Sequence, residues 1–382
     1  MKEIFADTLI IGAGPAGISA AISLQKAGGS NAVVDRQSFP REKTCGGLIT
    51  GKTMSRIISL LNDKAEDPAI FCDSGNVVEL FHKGKRLTCS KLSERIYFIK
   101  RAHFDHYLVR RYKELGGLFF ESEKNHKIDF DKRIITLSNG DVIKYKNLIA
   151  ADGALSSIRD SLGYGKPEMG FCVETFIPKI QAPFGNRVKI FFGIIEKGYG
   201  WVFPSGDDYC IGLGGVYCQD IDYTGRLKRL LKMLGIPGDS CKIRGAFVPY
   251  GGVVDQSKGH HEIVLAGDAA GYVDPIFGEG LYFAITSGMK AARARIDPGQ
   301  ESFKSSYLRK MSSCVKQIRQ GSRIQKLFFN KYAQGFFKRK LYKKNAFVRF
   351  FFDKMISDYK YSYHNMLGLY IDYNLWELKR RR

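Results

Sequence analysis

Residues 38–50, SFPREKTCGGLIT, run from two cations (Arg41 and Lys43) into a lone thiol, Cys45, and then into two bare glycines, Gly46 and Gly47. Cations near a sulfur in space make its thiol more acidic, and glycine leaves the backbone open to a ligand. That combination suits a proton route or a reactive thiol beside a flat ring. A packed, inert cysteine is the competing reading. Upstream, Gly12-Ala13-Gly14-Pro15-Ala16-Gly17 spells GxGxxG. The first glycine permits a tight turn, the second lets backbone approach a pyrophosphate, and Gly17 allows close helix–strand packing. Asp35, at the end of the next apolar run, suits a ribose hydroxyl. Far downstream, GDAAGYVDPIFGEGLYFAITSG (267–288) offers Asp268 as an acceptor for a polyol chain. Its Gly278-Glu279-Gly280-Leu281 turn opens a helix whose first amides would face negative charge.

These residues need rigid supports. Residues 7–12 read as a buried strand, 15–28 as a helix and 31–35 as a second strand, a βαβ unit of the length expected for a dinucleotide fold. Helical periodicity covers 104–115, and 117–149 alternates in short strands with a turn at Ser138-Asn139-Gly140-Asp141. From about 165 to 257 the pattern is β-rich and suggests an antiparallel sheet. A buried strand at 262–267 returns to the first unit, with a helix from about 279 to 296. The expected fold is α/β: a Rossmann-type cofactor domain from 1–80, 98–160 and 258–300, interleaved with a β-rich substrate domain from 81–97 and 161–257. Residues 301–382 form a basic, aromatic-rich helical C-terminal region.

TLIIGAGPAG, the run from Asp35 and Arg36 through Cys45-Gly46-Gly47, Arg101 within KRAHFD, and GDAAGYVDPIFGEG together resemble the geranylgeranyl reductase family. That family belongs to the FAD flavoproteins shaped like p-hydroxybenzoate hydroxylase, and the resemblance covers about residues 1–300. It implies that Ala16, Asp35, Cys45, Gly46, Gly47, Arg101, Asp268, Gly280 and Leu281 surround FAD, with Gly12, Gly14, Gly17 and Arg36 in the nucleotide loop. Asp152-Gly153 is similar to the DG motif of the wider group, and Arg159 nearby either serves that motif or caps a helix. Residues 196–204, EKGYGWVFP, resemble the family's PxxYxWxFP signature, with Glu196 in place of its first proline. Tyr199, Trp201 and Phe203 alternate and so share one strand face. Such a face lines an apolar pocket for a prenyl chain, with the Tyr199 and Trp201 polar tips as anchors, or is sheet core.

The resemblance implies an FAD-dependent reductase of carbon–carbon double bonds in a polyprenyl lipid or isoprenoid quinone side chain. Cys45 or an ordered water is the candidate proton route, and the electron donor is NAD(P)H or a ferredoxin-like protein. Two rivals stand on the same fold. One is an FAD monooxygenase or halogenase, although the WxWxIP of halogenases is not matched, since at that stretch only Trp201 is present, with Phe203 and Pro204 after it. The other is an electron-transfer flavoprotein that passes electrons to quinone.

Eight cysteines show neither a CxxC pair nor zinc-like spacing. A reduced, cytoplasmic, monomeric protein with no metal site is expected. No run of about 18 clean apolar residues occurs, so no transmembrane helix is expected. The net charge of +22 is uneven: Phe303–Arg382 carries 20 Lys/Arg against 4 Asp/Glu. Basic and aromatic residues together suit an anionic membrane surface, here the inner face of the membrane. A helical bundle with a solvated basic face ranks second, and nucleic acid is not expected.

Overall fold

The computed structural model describes residues 1–62, 70–238 and 241–330, with the isolated positions 346, 350, 352, 353 and 373. Most of the basic tail therefore lies outside the described residues.

The chain opens with β1 (Glu3–Ile11), α1 (Pro15–Lys26) and β2 (Asn31–Val34). Proline at the first turn of α1 loses no hydrogen bond there, because that amide has no intrahelical partner. β3 (Leu48–Ile49), α2 (Gly51–Leu61), β4 (Asp73–His82) and β5 (Lys85–Phe98) follow. After α3 (Arg101–Glu114) come β6 (Leu118–Phe120), β7 (Lys127–Asp129), β8 (Ile134–Thr136) and β9 (Val142–Ala150). A short α4 (Ser157–Ser161) leads into β10 (Met169–Pro178), β11 (Arg187–Phe192), β12 (Gly198–Ser205) and β13 (Asp208–Val216). The described chain closes with α5 (Tyr223–Met233), β14 (Arg244–Pro249), β15 (Ile263–Leu265), α6 (Leu281–Ile296) and α7 (Phe303–Phe328).

Seven strands form the first sheet, in the order β6-β2-β1-β9-β8-β7, with β15 also on β9. The far edge of β9 is shared: residues 142–144 pair antiparallel with β8, and 148–150 pair parallel with β15. α1 lies against α6 at backbone contact, since a Cβ on Gly288 would fall 2.0 Å from the Ala16 carbonyl oxygen. The buried Ala16, Ala20, Ala21, Ala284 and Ala291 continue that close seam.

The second sheet has eight strands, β14-β10-β13-β12-β11-β4-β5-β3, antiparallel except for β11 on β4. One face is covered by α5, whose Leu227, Leu230 and Leu231 pack on Val202, Ile211 and Leu213. Their i, i+3, i+4 spacing makes one apolar helix face. Val78, Leu80, Ile190, Trp201 and Phe203 occupy the opposite face, which turns toward the first sheet.

The boundary expected at residues 80/81 is corrected by this topology. β4 starts at Asp73 and stays in register with β5 and β11, and the short β3 also pairs with β5. The chain thus enters the second sheet twice before α3. Alternating burial of Val78 and Leu80 satisfies that sheet's inner face.

Candidate active site

A cavity of about 820 Å³ lies between the C-terminal ends of β1, β2 and β9 and the inner face of the second sheet. The carboxyl ends of parallel strands are where open α/β sheets bind ligands. Its wall includes Gly12, Gly14, Ala16, Asp35, Arg36, Cys45, Gly46, Gly47, Arg101, Asp152, Asp268, Gly280 and Leu281, together with Tyr199, Trp201 and Phe203. Gly17 alone of the expected residues is not on the wall. A Cβ there would meet the Gly12 carbonyl oxygen at 1.9 Å, so Gly17 serves packing.

At the nucleotide end, Gly12 has φ +98° and passes so near β9 that a Cβ would sit 2.3 Å from the Ala151 carbonyl oxygen. Asp35 shapes the turn, its two oxygens accepting the Ala13 amide at 2.6 Å and the Gln37 amide at 2.8 Å. Gly14 caps α1 without a side-chain hydrogen bond, which leaves the first amides of the helix for a ligand. Asp152 accepts from the Ser156 hydroxyl and the Ile158 amide, and so starts α4 at the cavity wall. Arg159 does not reach the cavity; buried, it bonds the Ala154 carbonyl and Asp160.

Arg101 is a cation bonded to the Cys45 thiol, a partner that proximity in sequence does not suggest. Its guanidinium holds Asp105 with two 2.7 Å bonds and also bonds Cys45. Burial opposes that charge, yet Asp105 and Cys45 outweigh it and hold the guanidinium more firmly protonated than usual. Arg41 is turned to Asp105 at 3.3 Å, beside the place a Gly14 Cβ would occupy. The Cys45-Gly46-Gly47 turn lies on the aromatic strand: a Cβ on Gly46 would come within 3.0 Å of the Phe203 ring and 3.3 Å of Trp201 Nε1. Gly47 (φ +76°) leaves no room for one, with the Ile99 carbonyl oxygen 2.2 Å away.

The floor is the second sheet, with Val188, Ile190 and Ile96 extending the apolar lining beyond Tyr199, Trp201 and Phe203. Trp201 and Phe203 stack at 6.1 Å between centroids. The Tyr199 hydroxyl, expected to anchor a ligand, instead donates to the Phe277 carbonyl. Tyr250 and Gln325 donate to the neighbouring Ile276 and Pro275 carbonyls, and the Asp274 carboxylate accepts the Ile276 and Phe277 amides. The 274–280 loop is thereby held from three elements. Its Glu279 takes the Thr50 and Thr53 hydroxyls and pairs with Lys52 at 2.6 Å. Asp268 lies on the wall, its carboxyl pushed up by burial against the pull of Lys43 and Arg101.

Sequence reasoning passed over Glu174, whose Oε1 accepts the Cys45 amide at 2.9 Å from inside the sheet. Burial pushes its carboxyl above the usual range. A single acid within the apolar strand MGFCVETFIP was the available signal. The Lys52–Glu279 pair was also missed, because nothing in the spacing links residues so far apart.

Residues 6–175 match the family described as FAD binding domain. Among curated relatives, an uncharacterized protein of Methanosarcina barkeri is 28% identical, over 75% of this chain and 73% of its own. A geranylgeranyl diphosphate reductase of Rhodobacter capsulatus is 28% identical, over 75% and 74%. A menaquinone reductase of Mycobacterium tuberculosis is 26% identical, over 75% and 76%. The chain is an FAD-dependent oxidoreductase with geranylgeranyl reductase-like relatives. The fold of this oxidoreductase is shared with a geranylgeranyl bacteriochlorophyll reductase-like protein of Thermoplasma acidophilum (TM-score 0.70, 18% identity, 97% and 96% covered). A flavin-dependent brominase has it too (TM-score 0.72, 19% identity, 99% and 100% covered). The oxidoreductase's own residues fit the cofactor. The cradle at Gly12 admits no Cβ, and the α1 amides are uncapped. No described helix is long and apolar enough to cross a membrane.

Proposed function

We propose that the protein reduces carbon–carbon double bonds in a polyprenyl, geranylgeranyl-type lipid or in an isoprenoid quinone side chain. The observation that carries this reading is the apolar floor of Tyr199, Trp201, Phe203, Val188 and Ile190, which begins at the Cys45-Gly46-Gly47 turn and is continuous with the nucleotide cradle. A long hydrocarbon matches such a floor, and few polar groups are needed to orient it. Bound FAD would supply the hydride. Gly12, Gly14 and Arg41 would hold its pyrophosphate end, Asp35 its ribose, and Asp268 with the 278–281 turn its ring end. The chain's share of the reaction is to align the alkene, exclude water and deliver a proton. The names of the Rhodobacter and Mycobacterium relatives agree with this substrate class.

The test is anaerobic incubation of dithionite-reduced holoenzyme with geranylgeranyl lipids and prenyl quinones, followed by mass spectrometry. A gain of two hydrogens per bond supports the reading. Quinol formation with intact side chains would mark an electron-transfer flavoprotein and refute it. Oxygen uptake with NAD(P)H and an aromatic substrate would mark a monooxygenase, the alternative that the brominase-like fold keeps open. Dithionite stands in for the physiological donor, NAD(P)H or a ferredoxin-like protein. We further propose that the basic tail rests on an anionic membrane surface. Flotation with anionic vesicles at low salt that is lost at high salt is the expected result.

A further inference from the structure

An isolated alkene accepts hydride poorly, so saturation needs an acid as well as a reductant. A neutral carboxyl held at the cavity wall is one group that can supply it.

The second sheet presents one carboxyl to the cavity wall among its described strands, that of Glu174 on β10. On its own sheet the neighbouring wall includes Phe171, Cys172, Gly214 and Ala246. Its cross-strand neighbour is Gly212, and the Trp201 ring lies over that glycine, where a Cβ would meet it at 2.3 Å. Glu174 is 1% exposed. Oε1 accepts the Cys45 amide at 2.9 Å, and Oε2 is 3.6 Å from Cys210 Sγ. Lys43 and Cys45 face it from the 41–47 turn, Arg244 from β14, Cys210 from β13 and Cys172 from its own strand. Arg244 is engaged with Glu42 at 2.6 Å. Burial therefore outweighs these cations and favours the neutral acid.

We propose that Glu174 is the acid of this site and delivers the proton that saturation of the double bond requires. This rests on the alkene-reducing reading above. One alkene carbon gains a hydride, whose electron pair comes from a reduced flavin. The other gains the proton from the Glu174 carboxyl, so the π bond becomes two C–H bonds. The remaining carboxylate is reprotonated from solvent before the next turnover. Its bond to the Cys45 amide ties the acid to the turn that borders the ring end of the site.

The holoenzyme with Glu174→Gln tests this. Glutamine keeps a carbonyl oxygen for the Cys45 amide but carries no transferable proton. Prenyl saturation should fall by about 10²-fold or more, the scale of general acid catalysis, with FAD occupancy and KM unchanged. Glu174→Asp should keep part of the rate. A readout independent of turnover is infrared difference spectroscopy of the oxidised protein during a pH titration. The wild type should show a protonated-carboxyl C=O band that persists above the usual glutamate range and is missing from Glu174→Gln. Wild-type rates in Glu174→Gln, or identical infrared titrations, overturn the inference alone. A wild type that saturates no prenyl substrate overturns the reading beneath it as well.

Discussion

Replacing Lys52 with methionine should weaken both the fold and the hold on FAD, by an amount that the local geometry sets. The Lys52 ammonium is buried, 2.6 Å from Glu279 Oε2, and lies 5.0 Å from the centroid of the Tyr282 ring. Burial opposes its charge, but Glu279 and Asp274 more than compensate and raise its pKa. Methionine keeps the stem's volume and strands the Glu279 carboxylate, whose side chain is only 14% exposed. Removing one member of a buried pair costs about 3–5 kcal/mol. The Thr50 and Thr53 hydroxyls still satisfy Oε1, which points to the lower end, about 3 kcal/mol. That is a large part of a typical stability of about 5–15 kcal/mol, and about a 10²-fold change in the folding constant. Urea unfolding of the apoprotein should show the loss as a shifted midpoint with unchanged slope. Fluorescence titration should show weaker FAD binding, since Glu279 lies between Gly278 and Gly280 on the cavity wall. Combining Lys52→Met with Glu279→Gln should recover most of the stability, because no charge is then left unpaired. A single variant losing less than about 1 kcal/mol, or a double variant no better than the single, would refute this account of the pair.

Gly12→Ala should abolish FAD binding and lower Tm, because both the +98° φ and the 2.3 Å approach to the Ala151 carbonyl oxygen exclude a methyl group; copurifying flavin absorbance checks it. Tyr199→Phe removes a hydrogen bond to the Phe277 carbonyl and leaves the ring on the pocket wall. Stability should fall by about 1 kcal/mol, with kcat reduced more than KM is changed in a prenyl-reduction assay. Glu174 and Asp268 both have carboxyls raised by burial. The stability that each contributes is complete below the unfolded-state pKa and is lost as pH rises through the higher folded value. Glu174→Gln should therefore lose less Tm than the wild type as pH rises above the ordinary glutamate range.

Local pattern made the first sheet legible. GxGxxG between two apolar runs could only be a strand–turn–helix, and α1 indeed begins at Pro15 behind β1. The period-2 aromatics of β12 likewise stated which side chains share a face, and all three line the cavity. What stayed hidden is long-range. Residues 73–80 read as part of the first unit because nothing local distinguishes a strand of one sheet from a strand of the other; the pairing of β4 with β11, over a hundred residues away, decides it. Arg101 meets Cys45 because α3 delivers it there. Proximity in sequence pointed only to Arg41 and Lys43. The Tyr199 hydroxyl was misjudged in the same way, since its acceptor is a backbone carbonyl of a distant loop.

The carbonyls of Pro275, Ile276 and Phe277 hang from Gln325, Tyr250 and Tyr199, so the two ends of the site draw on different stretches of the chain. The pyrophosphate cradle draws on Gly12, Asp35 and the stretch around Ala151, all of which precede the ring-end loop in the chain. The ring-end loop gains its third carbonyl contact only from Gln325 on α7. Seating the ring end of a cofactor would then depend on α7 as well as on the loop itself.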